Sequence, residues 1–240
     1  MATDYSIVVP AYNETAFLPG TVKAIHEAMS HTPLQGELIV CDNNSTDGTA
    51  ACAESLGAKV VFEPINQISR ARNTGAQQAR GRYLVFVDAD TIISAELLRE
   101  ALSRLESGEY CGGGALVTFD SEMTWAFSLG SRAWNWLSKT MGLAAGCFVF
   151  CRRDDFECVG GFSEAVYASE EIWLSRHLRG LGRTRGQRFS IIEDFPAHSS
   201  GRKLEWYSAG SQALLLLMLT LFPFAVRFKS LCGFWYRRPE

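Results

Sequence analysis

The seven cysteines of this chain (Cys41, Cys52, Cys111, Cys147, Cys151, Cys158 and Cys232) are odd in number and contain no CxxC pair. Most lie within apolar runs. That argues against a disulfide framework and for reduced, buried thiols in a cytosolic protein. A basic stripe is missing too, and the formal net charge is −3, which argues against a nucleic-acid partner. At the N-terminus, Met1-Ala2-Thr3-Asp4 offers no basic leader before a hydrophobic stretch, so no signal peptide is expected. Internal repeats, low-complexity tracts and evident linkers are also lacking. What remains is 240 residues, 47% hydrophobic and 20% charged, enough to bury a proper core and expected to form one domain over residues 1–240.

The most informative stretch is Tyr83-Leu84-Val85-Phe86-Val87-Asp88-Ala89-Asp90. A short apolar run of β-formers reads as a fully buried strand, and it ends in two carboxylates one residue apart. Ligands of open α/β sheets bind at the carboxyl ends of the strands. Acids at i and i+2 in extended chain project to one side, where their mutual repulsion suits a hard divalent cation shared with substrate phosphates. The competing explanation is a helix N-terminus, with Asp90 or Thr91 capping a helix from Ser94 to Leu105.

Strand candidates are Tyr5–Pro10, Glu37–Cys41, Lys59–Phe62 and the Asp-bearing strand; helical patterns lie between them, up to Ser30, over Thr49–Leu56 and over Ser69–Ala79. This alternation implies a parallel sheet with right-handed crossovers. The second half reads differently. Strands are expected at Cys111–Phe119, Gly146–Cys151 and Gln187–Ile192, and helices at Glu122–Lys139, Arg152–Cys158, Ser169–Leu181 and Leu204–Phe222. The layout suggests a nucleotide-binding half over 1–110, an acceptor-binding half over 111–203, and an apolar helix with a basic, aromatic tail over 204–240.

Five motifs occur in order: Val9-Pro10-Ala11-Tyr12-Asn13-Glu14, Asp42-Asn43-Asn44-Ser45-Thr46-Asp47-Gly48-Thr49, Ser69-Arg70-Ala71-Arg72-Asn73-Thr74-Gly75, Asp88-Ala89-Asp90, and Gly160-Gly161-Phe162 followed by Glu170-Glu171. Together they resemble the family 2 glycosyltransferases over roughly residues 5–205. The resemblance implies the GT-A fold, an α/β architecture with a Rossmann-like, mostly parallel central sheet flanked by helices. It further implies a nucleotide-diphospho-sugar donor, Mg²⁺ or Mn²⁺, and usually inversion at the anomeric carbon.

Carried onto this chain, the resemblance puts the nucleotide against Pro10, Ala11, Tyr12, Glu14, Asp42, Asn44, Arg72, Asp88 and Ala89, with Arg202 and Lys203 closing over the diphosphate. Asp42, acceptor-only when ionised, suits the imide N–H of a uracil-type base, while Asn44 to Asp47 also read as turn and cap residues. Arg72 is expected to pair with diphosphate or with Asp88, and Arg70, on another helical face, to do something else. Asp90 corresponds to the principal metal ligand, with Asp88 beside it and His198 a further candidate. Glu171 stands where relatives carry an Asp base, so the chain departs by one methylene; Glu170 is the alternative base. The two acids also simply suit a helix N-terminus.

The Gln-x-x-Arg-Trp motif of processive members is missing, which favours single-sugar transfer to a sugar or lipid-linked acceptor. Trp125, Trp134 and Trp136 could stack on that acceptor, although such aromatics commonly belong to a core. No charged residue lies between Glu205 and Arg227, and Arg227, Lys229, Arg237 and Arg238 follow among aromatics. Residues 204–238 therefore read as a core or dimer helix, an interfacial segment or a membrane span, in that order. The expected location is cytoplasmic, with the inner face of the cytoplasmic membrane as the alternative. Two rival functions are weighed. A sugar nucleotidyltransferase would want a Gly-rich basic loop, which Pro10–Leu18 does not contain, and a non-catalytic nucleotide-sugar-binding protein would not need Asp88, Asp90 and Glu171.

Overall fold

A computed structural model describes residues 3–119, 125–201 and 223–232, with the backbone alone described at 125–129 and 223–224. One eight-stranded sheet runs through both halves of the chain, in the order β3-β2-β1-β4-β7-β6-β8-β5. Its first four strands are β1 (Tyr5–Ala11), β2 (Gly36–Asp42), β3 (Lys59–Phe62) and β4 (Tyr83–Val87), all mutually parallel. Helices α1 (Leu18–Ser30), α2 (Thr49–Ser55) and α3 (Ile68–Gln77) make the crossovers. Strands β1 and β4 are buried along their whole length, as near-continuous apolar runs covered on both faces should be.

The sheet is mixed beyond β4, and this refines the expectation of a Rossmann-like parallel sheet. Strand β7 (Phe148–Arg152) runs antiparallel to both β4 and β6 (Tyr110–Phe119), and α5 (Trp125–Met141) precedes it in the chain. Strand β8 (Arg188–Ser199) is parallel to β6 and extends past the expected end at Ile192. Glu193, Asp194 and Pro196 look like strand breakers, and they do interrupt the ladder. Ala115 pairs with Ile192 and Val117 with Ala197, so β8 bulges there and then resumes. Proline, which has no N–H to give the ladder, is tolerated at such a bulge. The resumed end carries His198 and Ser199 against a short strand missed in the sequence, β5 (Thr91–Ile92).

Side chains alternate across β1. Tyr5, Ile7 and Val9 join the core under α1 and α4 (Ala95–Glu106), while Val8 joins the core under α3, α6 (Arg153–Cys158) and α7 (Glu170–Thr184). Trp134 packs at the edge of the first core, whereas Trp136 is exposed. The side chain of Trp125 lies outside the described residues, as does the expected helix 204–222. The glycine of Ala71-Arg72-Asn73-Thr74-Gly75 is explained by packing: a Cβ at Gly75 would stand 2.4 Å from Val8 Cγ1. Gly75→Ala is therefore expected to push α3 off β1 and cost about 1–3 kcal/mol, read as a lower midpoint in urea unfolding.

Candidate active site

Strand β4 ends at Val87, and the turn that follows is pinned from three sides. Asp88 N donates to Cys147 O at 3.2 Å, Thr91 N to Asp88 O at 3.1 Å, and Thr21 Oγ1 of α1 to Ala89 O at 2.9 Å. Ala89 is buried, and Asp88 and Asp90 remain partly exposed on either side of it. The capping explanation for this pair does not hold. Helix α4 is capped by Ser94, whose side chain accepts from Leu97 N at 3.1 Å, and Thr91 is a buried strand residue.

Arg72 is the centre of the site. Its guanidinium is 1% exposed, which for an arginine requires partners. Nη2 donates to Asp88 Oδ1 at 2.7 Å and to Gly146 O at 2.8 Å, and Nη1 donates to Glu170. The guanidinium also lies 5.1 Å from the Phe162 ring centroid. Burial disfavours its charge, but Asp88, Glu170 and Glu171 more than offset this and raise its proton affinity. Arg72 thus joins the tip of β4 to the first turn of α7. Arg70 instead pairs with Glu63 and Glu164.

Glu170 and Glu171 open α7 after Ser169, a non-glycine residue at φ 64°. Left-handed backbone is uncommon for serine, and here it turns the chain so that both acids reach the guanidinium region. Glu170 is spent on Arg72. The Glu171 carboxyl is different: burial, and then the charge of Glu170, push its pKa up to about 8, with Arg72 opposing. Gly146 faces this group, since a Cβ there would lie 3.1 Å from Arg72 Nη2 and 3.7 Å from Glu171 Cδ. A side chain at 146 would crowd the charge cluster. Sequence reading missed Gly146, because a glycine just before a strand carries no mark of its neighbours.

The two loops expected to hold the nucleoside are knitted to each other. Thr46 N donates to Asn13 Oδ1 at 2.8 Å, Glu14 N to Thr49 Oγ1 at 2.9 Å, and Asn13 N to Ser45 Oγ at 3.0 Å. Asn13 and Asn44 both sit at positive φ, which asparagine tolerates better than most residues. Asp42 is buried and accepts from Ser45 N at 3.2 Å through Oδ1, and the Asn44 amide donates to Pro64 O at 3.2 Å. Pro10 and Ala11 are buried β1 residues, and Tyr12 and Glu14 flank the turn after it, Glu14 being buried. Asp47 accepts from Thr49 N at 3.0 Å, so it shapes the start of α2.

Asn73 explains why two distant motifs occur together. Its Nδ2 donates to Phe162 O at 2.9 Å and its Oδ1 accepts from Phe162 N at 2.9 Å. Gln67 Nε2 donates to Glu164 O at 2.8 Å and Val166 O at 2.9 Å. Helix α3 therefore clamps the Gly160-Gly161-Phe162 loop that leads into α7.

His198 sits near the end of β8. It is exposed, lies opposite Ile92, and its Nδ1 is 2.5 Å from Thr118 Oγ1. Among the described residues no group of three His, Cys, Asp or Glu side chains is assembled for a metal. The donor set nevertheless fits a hard cation that takes one or two carboxylates and completes its shell with phosphate oxygens and water. Asp88 offers Oδ2, which has no hydrogen-bond partner among the described residues, and Asp90 stands one residue beyond Ala89. Arg202 and Lys203 lie outside the described residues; the chain approaches them from Ser200, whose N–H donates to Asp90 O at 3.1 Å. A cavity of about 360 Å³ lined by Arg82, Tyr83, Arg152, Asp155, Arg185 and Gln187 opens at the amino end of β4, the wrong end of the sheet for these residues.

This arrangement is that of a GT-A glycosyltransferase domain. The model of the family described as "Glycosyl transferase family 2" matches residues 6–160, more than half of the chain, and the protein belongs to that family. The chain is 24% identical over 211 residues to "Glycosyltransferase AglE" of Haloferax volcanii, covering 83% of this chain and 69% of that one. It is 29% identical over 136 residues to an uncharacterized glycosyltransferase of Mycobacterium bovis, covering 56% of this chain and 59% of that one.

Among solved structures, residues 1–349 of S. aureus TarS in complex with UDP superpose with a TM-score of 0.63 at 18% identity, over 82% of this chain and 60% of that one. The mannosyltransferase PcManGT of Pyrobaculum calidifontis, in complex with GDP-Man and Mn²⁺, gives 0.63 at 19% identity, over 83% and 57%. The chain thus spans about three fifths of the length of these structures. These two show a shared fold.

Proposed function

We propose that this chain transfers one sugar from a nucleotide-diphospho-sugar to an acceptor hydroxyl, with inversion and without processivity. The observation that carries the reading is the Arg72 bridge. It ties Asp88, at the tip of β4, to Glu170, in the first turn of α7, so that donor and acceptor groups would meet at a single point. In this reading Asp88 and Asp90 hold a divalent cation, which when bound would neutralise charge on the departing diphosphate. Asp42, at the end of β2, reads the base through an imide N–H, which favours a uracil-type donor. The end of β1, with Pro10 and Ala11, and the turn after it, with Tyr12 and Glu14, cradle the nucleoside.

Glu171 takes the proton of the acceptor hydroxyl as that oxygen attacks the anomeric carbon. A base is most effective when its pKa is near the working pH, and the cluster raises the Glu171 carboxyl toward that range. Glu170 is less suited because its charge is committed to Arg72.

The test is transfer and donor hydrolysis across a panel of nucleotide sugars with Mn²⁺ or Mg²⁺. Asp90→Ala is expected to lower activity by about 100-fold or more, since a metal supplies several kcal/mol of charge stabilisation. Mn²⁺ binding in the presence of nucleoside diphosphate, followed by electron paramagnetic resonance, should weaken in parallel. Full activity and unchanged Mn²⁺ binding in this variant would remove the metal from the reading. Stabilisation by UDP over GDP in a thermal shift supports Asp42 as the base reader, and the reverse order removes it.

A further inference from the structure

Four large apolar side chains are exposed on two segments that a single lysine joins. Phe62, 58% exposed, ends the edge strand β3, and Ile65, 50% exposed, follows in the loop that Asn43 Nδ2 grips through Ile65 O at 2.6 Å. Lys229, which opens the short 3-10 turn Lys229–Leu231, reaches this loop, its Nζ donating to Asn66 O at 2.8 Å. Phe228, 54% exposed, and Leu231, 45% exposed, flank Lys229. The turn is fastened on its other side to the acceptor half. Val226 and Cys232 pack with Val166 and Ala168, and Tyr167 N donates to Val226 O at 2.6 Å. From Tyr167 the chain runs directly into Ser169, Glu170 and Glu171.

We propose that this rim docks on an anionic lipid bilayer. Large apolar side chains gathered at a surface mark an interaction site, and the charges around these specify what they meet. Arg227 and Lys229 are exposed and interleaved with Phe228 and Leu231. No acidic residue occurs from Pro223 to Cys232, in a chain whose net charge is −3. Aromatic and aliphatic side chains set among basic ones match a headgroup boundary, apolar groups entering the acyl edge and cations facing anionic lipid. The contact proposed is interfacial, made by the side chains of the turn and not by a spanning helix. Phe62 pairs in register with Asp42, so docking presents the end of β2 to the surface. The consequence that the acceptor is lipid-borne rests on the transferase reading, whereas the docking itself does not.

The experiment is co-sedimentation of the full chain with phosphatidylcholine vesicles, with and without phosphatidylglycerol. The protein is expected on the anionic vesicles and to be released by salt. Phe228→Ser/Leu231→Ser should weaken binding by about tenfold or more, from the apolar groups no longer buried, and Arg227→Glu should remove the preference for anionic lipid. Melting temperature and UDP-induced thermal shift are expected to stay as in wild type, which separates loss of docking from loss of fold or of the donor site. Equal binding by wild type and the double variant overturns the proposal, as does no binding by wild type. Light scattering that shows a dimer abolished by the double variant would assign the rim to a second copy and overturn it too.

Discussion

Glu171→Gln is expected to reduce sugar transfer by about 10²–10⁴-fold, the contribution of a positioned general base, with little change in donor binding. In the wild type the base must be unprotonated to act. Its pKa is raised to about 8 by burial and by Glu170, so kcat/KM should climb through neutrality and level off above about pH 8. The variant should lose that limb along with the rate. A fold effect of opposite sign accompanies it. A carboxyl whose folded pKa is raised stabilises the native state while protonated, and this contribution is lost as pH rises from the unfolded value toward about 8. The amide introduced by Glu171→Gln cannot ionise, so the variant should gain stability relative to wild type across that window, measured by urea unfolding at pH 5 and pH 8. Glu171→Asp draws the carboxylate back by about 1.5 Å, one C–C bond, and tests whether the longer side chain is needed for reach. Transfer unchanged in Glu171→Gln would leave Glu171 without a role.

Arg72→Met is the second large effect, and it is expected on the fold as much as on activity. Removing the guanidinium leaves Glu170 buried and Asp88 half-buried without their counter-ion. Breaking a buried pair from one side costs about 3–5 kcal/mol, because the remaining charge is uncompensated. Arg72→Lys is not conservative here: one ammonium cannot reproduce the planar fork that meets Asp88, Gly146 O and Glu170 together. Arg72→Met/Glu170→Gln separates the network from simple loss of packing. The double variant should be less destabilised than the sum of the singles, with a coupling of about 0.5–3 kcal/mol. Strict additivity, or Arg72→Met unfolding within about 0.5 kcal/mol of wild type, the range of an ordinary surface change, would show that the bridge holds nothing together.

The parallel front half was legible element by element, with bounds within one or two residues. Runs such as Ile7-Val8-Val9 and Leu38-Ile39-Val40-Cys41 have one folding option, a strand covered on both faces, and the helices between them follow from chain connectivity. The acidic tip of β4 was legible for the same reason, since a buried apolar run that ends in two carboxylates must deliver them to a sheet edge. The motif containing Arg72 could be spotted, but sequence left its guanidinium between diphosphate and Asp88 as partners. Nothing local to Arg72 reveals Glu170, which is 98 residues away along the chain.

Strand order, the antiparallel course of β7, the continuation of β8 past Pro196 and the pairing of His198 with Ile92 belong to tertiary structure alone. Each depends on which distant segments find backbone partners, a matter of pairing and packing across the sheet that side-chain periodicity does not encode. The charge cluster is of the same kind. The sequence by itself determined which acids and which arginine the chain possesses and that each sits at the end or start of an element. Only the folded chain decided that Arg72 neutralises Asp88 and Glu170 while Glu171 keeps its proton longer, because burial and the distances between charges come into being when α3, β4 and α7 pack together.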